Sequence, residues 1–327
     1  MAAKSDRHQN SKGGALLAVL WISAALAAIA FSVAQTVRTE TERTSTFLDG
    51  VRTYYLATGA IQRVWLYAKW GESYKNPDGS VKYFKPGTPQ VVLQFPAGTA
   101  TVDIIPENSK LSVNAAKPEE LLALMVNLRI DPDRARQIVS AILDWRSEAP
   151  GNQSVFDQFY NSITPSFRAR HASLLEIEEL LLVKGMTPDL FYGTLVQDEQ
   201  GRLVPQYGLR DCLSVYGSEG RMDVNSALPA VMAAIGIAPE AIVAIVQRRR
   251  SNPFREQADL IPFQQFAGPS AQRLVIGGNT IFTFRSTAQL RLPDGRYSDM
   301  KRTVSAMLKF HRRAGNASVE VLRWYDY

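Results

Sequence analysis

Cysteine and histidine are nearly missing from this chain: its 327 residues include one cysteine, Cys212, and three histidines, His8, His171 and His311. A lone cysteine forms no intramolecular disulfide and no cysteine-built metal site. The histidines fall in a polar leader, a loop and a strand-like run. None has a metal-ligating or Ser/Asp partner at a useful spacing, so metal-assisted and nucleophilic catalysis find no support and each histidine reads as solvated or structural. Glu176, Glu178 and Glu179 lie close together, but such a group reads as the charged face of a helix rather than an acid pair. Concentrated charge is lacking too. The formal net charge of +6 is spread out, with its densest run at Arg248-Arg249-Arg250, and does not by itself argue for nucleic acid.

The third absence is the most informative: no charged residue occurs from Gly13 to Val37. An apolar run of about 20 residues is what a helix needs to cross a bilayer core. The polar segment ahead of it carries Lys4, Arg7 and Lys12 against Asp6, which by the positive-inside rule leaves residues 1–12 in the cytoplasm and the bulk of the chain outside. A cleaved secretory signal is the rival reading. The run is followed by Val37-Arg38-Thr39-Glu40-Thr41-Glu42-Arg43, with no small-x-small cleavage site beyond Ala34 and no break in helical character.

Past the apolar run, Phe47, Val51, Tyr54, Tyr55, Thr58, Ile61, Val64, Trp65 and Ala68 recur at three- and four-residue spacing, one face of a helix continuing to Trp70. That predicts a first helix of about 55 residues, about 80 Å long at ~1.5 Å per residue. The alternative is two helices joined near Thr44 to Asp49, although no Pro or glycine pair marks a join. After a Gly- and Pro-rich loop, Gly71 to Pro89, the runs Val91 to Phe95 and Thr101 to Ile105 flank Pro96-Ala97-Gly98 and predict a hairpin, with Lys110 to Val113 as a further short strand. Near the C-terminus, Thr280–Ser286, Ala288–Leu292, Thr303–Phe310 and Ser318–Trp324 predict an antiparallel meander turning at Pro293-Asp294-Gly295. The fold class is α+β: a long N-terminal helix packed on an antiparallel sheet, with a large all-α insertion.

The insertion is internally repetitive. Lys110-Leu111-Ser112-Val113-Asn114-Ala115-Ala116-Lys117-Pro118 recurs as Arg221-Met222-Asp223-Val224-Asn225-Ser226-Ala227-Leu228-Pro229. In each copy a proline opens an apolar-periodic helix, as suits the first turn, and a hairpin leads to a second helix ending in Asp144-Trp145-Arg146 or Arg248-Arg249-Arg250. Leu174 to Leu195 reads as a partial third copy. These units are similar to helix-hairpin-helix modules, which often bind DNA through backbone N–H groups at a glycine-rich turn. A membrane-anchored DNA receptor of the competence type is therefore the alternative reading. Against it, the first hairpin, Asn127-Leu128-Arg129-Ile130, has no glycine and is followed by Asp131 and Asp133, and the others hold one glycine each, Gly236 and Gly185.

The Lys12-Gly13-Gly14-Ala15-Leu16-Leu17 junction, with Leu20 and Trp21 behind it, resembles the class III leader of type IV pilins and type II secretion pseudopilins. Taken with Thr36-Val37-Arg38-Thr39-Glu40, Val113-Asn114-Ala115-Ala116, Asp144-Trp145-Arg146, Leu180 to Pro188 and Val224-Asn225-Ser226-Ala227, the chain resembles the type II secretion minor pseudopilin K family. The resemblance implies a prepilin peptidase cut between Gly13 and Gly14 and a single-pass segment in the bacterial inner membrane with the bulk in the periplasm. It further implies a place at the pseudopilus tip with the minor pseudopilins I and J, and contact with H and the major pseudopilin. Leu16, Leu17, Leu20 and Trp21 would pack the assembly helix. The fifth mature residue in these families is usually Glu, thought to pair with a neighbouring subunit's N-terminal ammonium because an unpaired charge in the membrane costs several kcal/mol. Here it is Ala18, which suits a filament end. The implied division is 1–13 leader, 14–37 transmembrane helix, 38–113 with 280–327 as a discontinuous pilin-like domain, and 114–279 as the insertion. No nucleic acid and no certain cofactor are implied. Calcium is possible in the family, but the acidic run after Asp-Trp is reduced to Arg146-Ser147-Glu148-Ala149-Pro150-Gly151-Asn152.

Overall fold

The computed structural model describes residues 12–70, 74–79, 82–83, 88–149, 151, 154–198, 200–278, 280–313 and 316–326. Residues 71–73, 80–81 and 84–87 of the Gly71–Pro89 loop, the leader up to Ser11, and His8 with it lie outside these residues.

Helix α1 runs unbroken from Lys12 to Trp70, 59 residues, or roughly 90 Å. No break occurs at Thr44–Asp49. In its apolar part the hydroxyls of Ser23 and Thr36 donate to Leu20 O at 3.0 Å and Ser32 O at 3.0 Å, so these polar groups are satisfied within the helix, as a bilayer demands. Next comes a collar of exposed pairs, Arg38 with Glu42 at 3.1 Å, Arg43 with Glu40 at 2.8 Å and Arg52 with Asp49 at 3.4 Å. Each is worth a few tenths of a kcal/mol at most, about 0.2–0.5.

Only the last third of α1 is covered. Thr53, Ala57, Ala60, Ile61 and Val64 are buried, whereas Phe47 is 70% and Tyr55 67% exposed. The periodicity therefore marked the right helix but the wrong face at its lower end, because the sheet begins to cover α1 only at Thr53. The covering sheet has five antiparallel strands, in the spatial order β1 (Gln90–Phe95), β2 (Gly98–Pro106), β9 (Ile281–Arg291), β10 (Tyr297–Arg313) and β11 (Asn316–Asp326). Of these, β1 and β2 form the expected hairpin. Small residues, Ala57 and Ala60 on α1 with Ala100, Ala288 and Ala306 on the sheet, let helix and strands approach, and Val102, Ile104, Phe284, Val304 and Leu308 fill the layer. Each large side chain so buried contributes about 1.5–3 kcal/mol. Gly98 is required here: a Cβ would stand 2.1 Å from Gln289 O and 2.9 Å from Leu56 Cδ2.

Beyond β2 the chain enters the insertion. Strand β3 (Leu111–Ser112) does not join the large sheet, as its β-like run had suggested. Helices α2 (Pro118–Asn127) and α3 (Pro132–Arg146) follow, then α4 (Asp157–Ser162), a 3-10 turn at Ile177–Leu182 and α5 (Pro188–Tyr192). A hairpin of β4 (Gly193–Gln197) and β5 (Leu203–Tyr207), α6 (Leu209–Cys212) and β6 (Leu213–Ser214) complete the first half, with β3 and β6 pairing in parallel. The second half has β7 (Met222–Asp223), α7 (Pro229–Ala234), α8 (Pro239–Ser251), α9 (Ile261–Gln264) and β8 (Leu274–Val275), with β7 and β8 again parallel. The two halves share one apolar core from Leu111 to Leu274, separate from the core under the sheet.

The chain then returns to the large sheet. The two runs expected between Thr280 and Leu292 form one strand, β9 (Ile281–Arg291), because Thr287 stays in register with Thr101 on one side and Thr303 on the other. Strands β10 (Tyr297–Arg313) and β11 (Asn316–Asp326) close the meander.

Candidate assembly surface and the built-in joints

The N-terminal half of α1 is covered by nothing else among the described residues. From Gly14 to Leu48 every residue is exposed, including Leu16 at 74%, Leu17 at 62%, Leu20 at 63% and Trp21 at 74%. Gly13 and Gly14 lie in the first turn of α1, and Ala18 stands one turn further on the bare helix. It is the one helix among the described residues long and apolar enough to cross a membrane. Some 24 residues of uncharged, uncovered helix rising from a folded head can bury their surface only in lipid or against another chain.

The repeat holds its own architecture with a device the sequence did not advertise. Arg146, at the end of α3, donates to Val113 O at 2.6 Å and Ala116 O at 2.7 Å. Arg249, at the end of α8, donates to Val224 O at 2.9 Å and Ala227 O at 2.7 Å. Burial lowers the pKa of both guanidiniums, which nonetheless stay charged because arginine starts so high. The asparagines of the two motifs act alike. Asn114 accepts from Leu174 N at 2.8 Å and donates to Leu174 O at 2.9 Å; Asn225 does the same with Phe254 N and O at 2.9 Å. Leu174 to Leu195 is therefore not a third copy. Its first part is the second half of copy one, equivalent to the stretch from Phe254, and Glu179 and Asp259 close matching turns on the N–H groups of Leu175 and Arg255, both at 2.8 Å.

The first-copy hairpin shows how it dispenses with glycine. Arg129 takes φ +63°, the left-handed conformation that Gly236 adopts at φ +85° in copy two. Ile130 N reaches Met125 O at 3.0 Å, and Ile237 N reaches Met232 O at 3.1 Å, so both turns close alike. The N–H groups of Asp133 and Arg134 that follow this turn are already taken by the Asp131 carboxylate, which caps α3, so the turn is poorly suited to a phosphate. The DNA-receptor alternative is not favoured.

Between insertion and sheet lies a polar cavity of about 180 Å³. Asp211 pairs with Arg285 of β9 at 3.2 Å, and Glu176 with Arg323 of β11. The fully buried Glu107 accepts from Thr283 Oγ1 at 2.6 Å and Lys110 Nζ at 3.3 Å. Glu176, Glu178 and Glu179 are thus no acid pair: Glu179 caps a turn and accepts from Trp145 Nε1 at 3.2 Å, and Glu176 reaches the sheet.

Two histidines prove to have partners. His311 faces Glu320 at 2.9 Å across β10 and β11. His171 is buried beside Asp157, an arrangement missed because their spacing matches no local motif. For a cation such as calcium, several oxygen donors must converge. Among the described residues no group of three or more His, Cys, Asp or Glu does so; Pro150 and Asn152 lie outside them.

Residues 101–193 match the sequence family described as type II secretion system (T2SS), protein K. No curated protein sequence matches the chain significantly. Among solved structures, a chain of the GspK-GspI-GspJ complex of the type 2 secretion system from enterotoxigenic Escherichia coli superposes with a TM-score of 0.54 at 15% identity, covering 87% of this chain and 99% of that one. At that identity the likeness is one of fold.

Proposed function

We propose that this chain, which resembles minor pseudopilin K of type II secretion in sequence over residues 101–193 and in fold over most of its length, works by assembly at the tip of a pseudopilus. One observation carries the reading: a single continuous helix, bare and apolar below, is clamped by a sheet above, and a bulky insertion interrupts that sheet between β2 and β9. The bare helix packs against sister helices, and the insertion obstructs a further subunit from stacking on top. The structure of relatives in a complex with GspI and GspJ supports minor pseudopilins I and J as the partners, with H and the major pseudopilin further down. It acts as a structural component rather than an enzyme.

In this reading prepilin peptidase cuts between Gly13 and Gly14, the helix is held in the inner membrane until assembly, and the rest lies in the periplasm. Ala18 leaves no carboxylate for a subunit above, which fits a cap that also initiates the filament and so supports export across the outer membrane. We divide the chain accordingly: 1–13 leader, 14–37 assembly helix, 38–113 with 280–327 the pilin-like part, and 114–279 the insertion. Next to the 113/114 boundary of this division, Leu111 and Ser112 pair in parallel with Leu213 and Ser214. The two helix pairs of the insertion are helix-hairpin-helix-like units used structurally.

The test is N-terminal sequencing of the mature protein together with co-purification of pseudopilins. A mature end at Gly14 and recovery of I- and J-type partners is expected. An uncleaved protein that shifts DNA with steep salt dependence would overturn the reading. Replacing Ala18 by Glu is expected to impair tip assembly and secretion; wholly unchanged secretion would remove the charge argument.

A further inference from the structure

The two halves of the insertion differ in one respect that their shared scaffold makes plain. In copy two the chain passes from Arg249 almost directly to Phe254, the residue gripped by Asn225. In copy one, the equivalent step from Arg146 to Leu174 is interrupted by an excursion from Ser147 to Ser173. Something must hold that excursion against α3. An aromatic contact does part of this, with Trp145 edge-on to Tyr160 at 5.5 Å and Phe167 tilted against Tyr160 at 5.3 Å. The rest is shared by Ser154 Oγ on the Asp144 carboxylate at 2.9 Å, the Ala172 N–H on Trp145 O at 3.2 Å, and His171.

The His171 ring is buried, and both of its nitrogens face acceptors. Nδ1 lies 3.2 Å from Asp144 O at the end of α3, and Nε2 lies 3.1 and 3.2 Å from the two carboxylate oxygens of Asp157 at the start of α4. A neutral imidazole has one N–H and can satisfy only one of these; the other nitrogen would then turn a lone pair on an oxygen. The imidazolium satisfies both. Asp157 is fixed for this role by Ser154 N at 2.7 Å, and the Asp144 carboxylate is held by Ser154 Oγ at 2.9 Å.

We propose that His171 is held as a cation and acts as a proton-operated clasp, docking residues 154–173 of the excursion onto α3 and loosening them as the proton leaves. The titratable groups that act on it are Asp157 on α4 and Asp144 on α3; both carboxylates also act on Tyr160, whose hydroxyl accepts the backbone N–H of Lys184 at 3.3 Å, and the Lys184 ammonium sits over Phe156 and Phe159. Burial works against the cation, but the bonds to Asp157 and the Asp144 carbonyl outweigh it and the imidazole pKa is raised. The clasp's contribution to stability is therefore complete below the ordinary histidine value of about 6.5 and disappears as pH rises through the raised folded value.

The test uses the full chain in detergent micelles. With three histidines in the sequence, the His171 ring resonance is assigned by its loss in His171→Asn. Its titration midpoint is expected above ~6.5 and is expected to fall in Asp157→Asn. Hydrogen exchange of peptides covering 154–173, corrected for intrinsic rates, is expected to accelerate about tenfold between protonated and deprotonated His171, a change of ~1.4 kcal/mol in local opening. The aromatic contacts keep both variants folded, and each should exchange rapidly at either pH. A midpoint at or below the ordinary value, or exchange that ignores pH in the unaltered chain, overturns the clasp.

Discussion

Replacing Arg146 or Arg249 by methionine tests the reading of the insertion as two halves on one scaffold. Each guanidinium donates twice to backbone carbonyls of Val113 and Ala116 or of Val224 and Ala227, all four residues being buried. Methionine keeps most of the apolar stem but strands two acceptors away from water. Losing a bond from a charged donor costs about 1.5–3 kcal/mol when its partner is left unpaired. Because the two bonds share one side chain and Arg146 keeps part of its water, roughly 2–4 kcal/mol is expected per arginine. In a folded unit of this size that lowers the midpoint of thermal unfolding by about 5–15 °C. Lysine, a point donor without the fork, should recover about half. Circular dichroism of the full chain in detergent, following helix loss, gives the midpoints. The two substitutions lie in separate halves and should add to within ~0.5 kcal/mol. If either methionine variant loses less than ~0.5 kcal/mol, or lysine serves as well as arginine, the double-carbonyl grip does not hold each half together.

The hairpin comparison gives opposite signs: Arg129→Gly, which removes a side chain from a left-handed turn, should stabilise by about 0.5–1.5 kcal/mol. Gly236→Ala should destabilise by a similar amount or more, since its Cβ would also meet Ser270 Oγ at 3.1 Å; a midpoint moving the other way in either would refute the turn assignment. Ala60→Leu crowds the fully buried helix–sheet layer and should cost about 1–3 kcal/mol, whereas Phe47→Ser on the bare part of α1 should alter the head's unfolding midpoint by less than ~0.5 kcal/mol equivalent. Equal effects would mean that the covered face is misplaced. Burial pushes the Cys212 thiol up to about 12, so a colourless-to-coloured thiol reagent at pH 8 should react only after denaturation; rapid reaction of the folded chain would show that the α6 region opens readily.

Much of this protein was legible along the chain because it rests on local periodicity. The uncharged stretch from Gly13 to Val37 was legible as an apolar helix long enough to cross a bilayer, and the structure decided that it stands uncovered. The β1–β2 hairpin, the final strands and the doubled Val-Asn-x-Ala motif were equally readable. Which face of α1 is covered was not, because Phe47, Val51 and Tyr55 have the same spacing as Ile61 and Val64 and differ only in whether a strand lies over them. The parallel β3–β6 and β7–β8 pairs, the arginine grips and the His171–Asp157 contact join residues far apart in sequence, and only the packing of the two halves brings them together. The sequence by itself determined the apolar N-terminal helix, the α+β class and the repetition. Tertiary structure alone decided where the repeat units begin and end, for their boundaries are set by hydrogen bonds that each unit makes to its own distant parts.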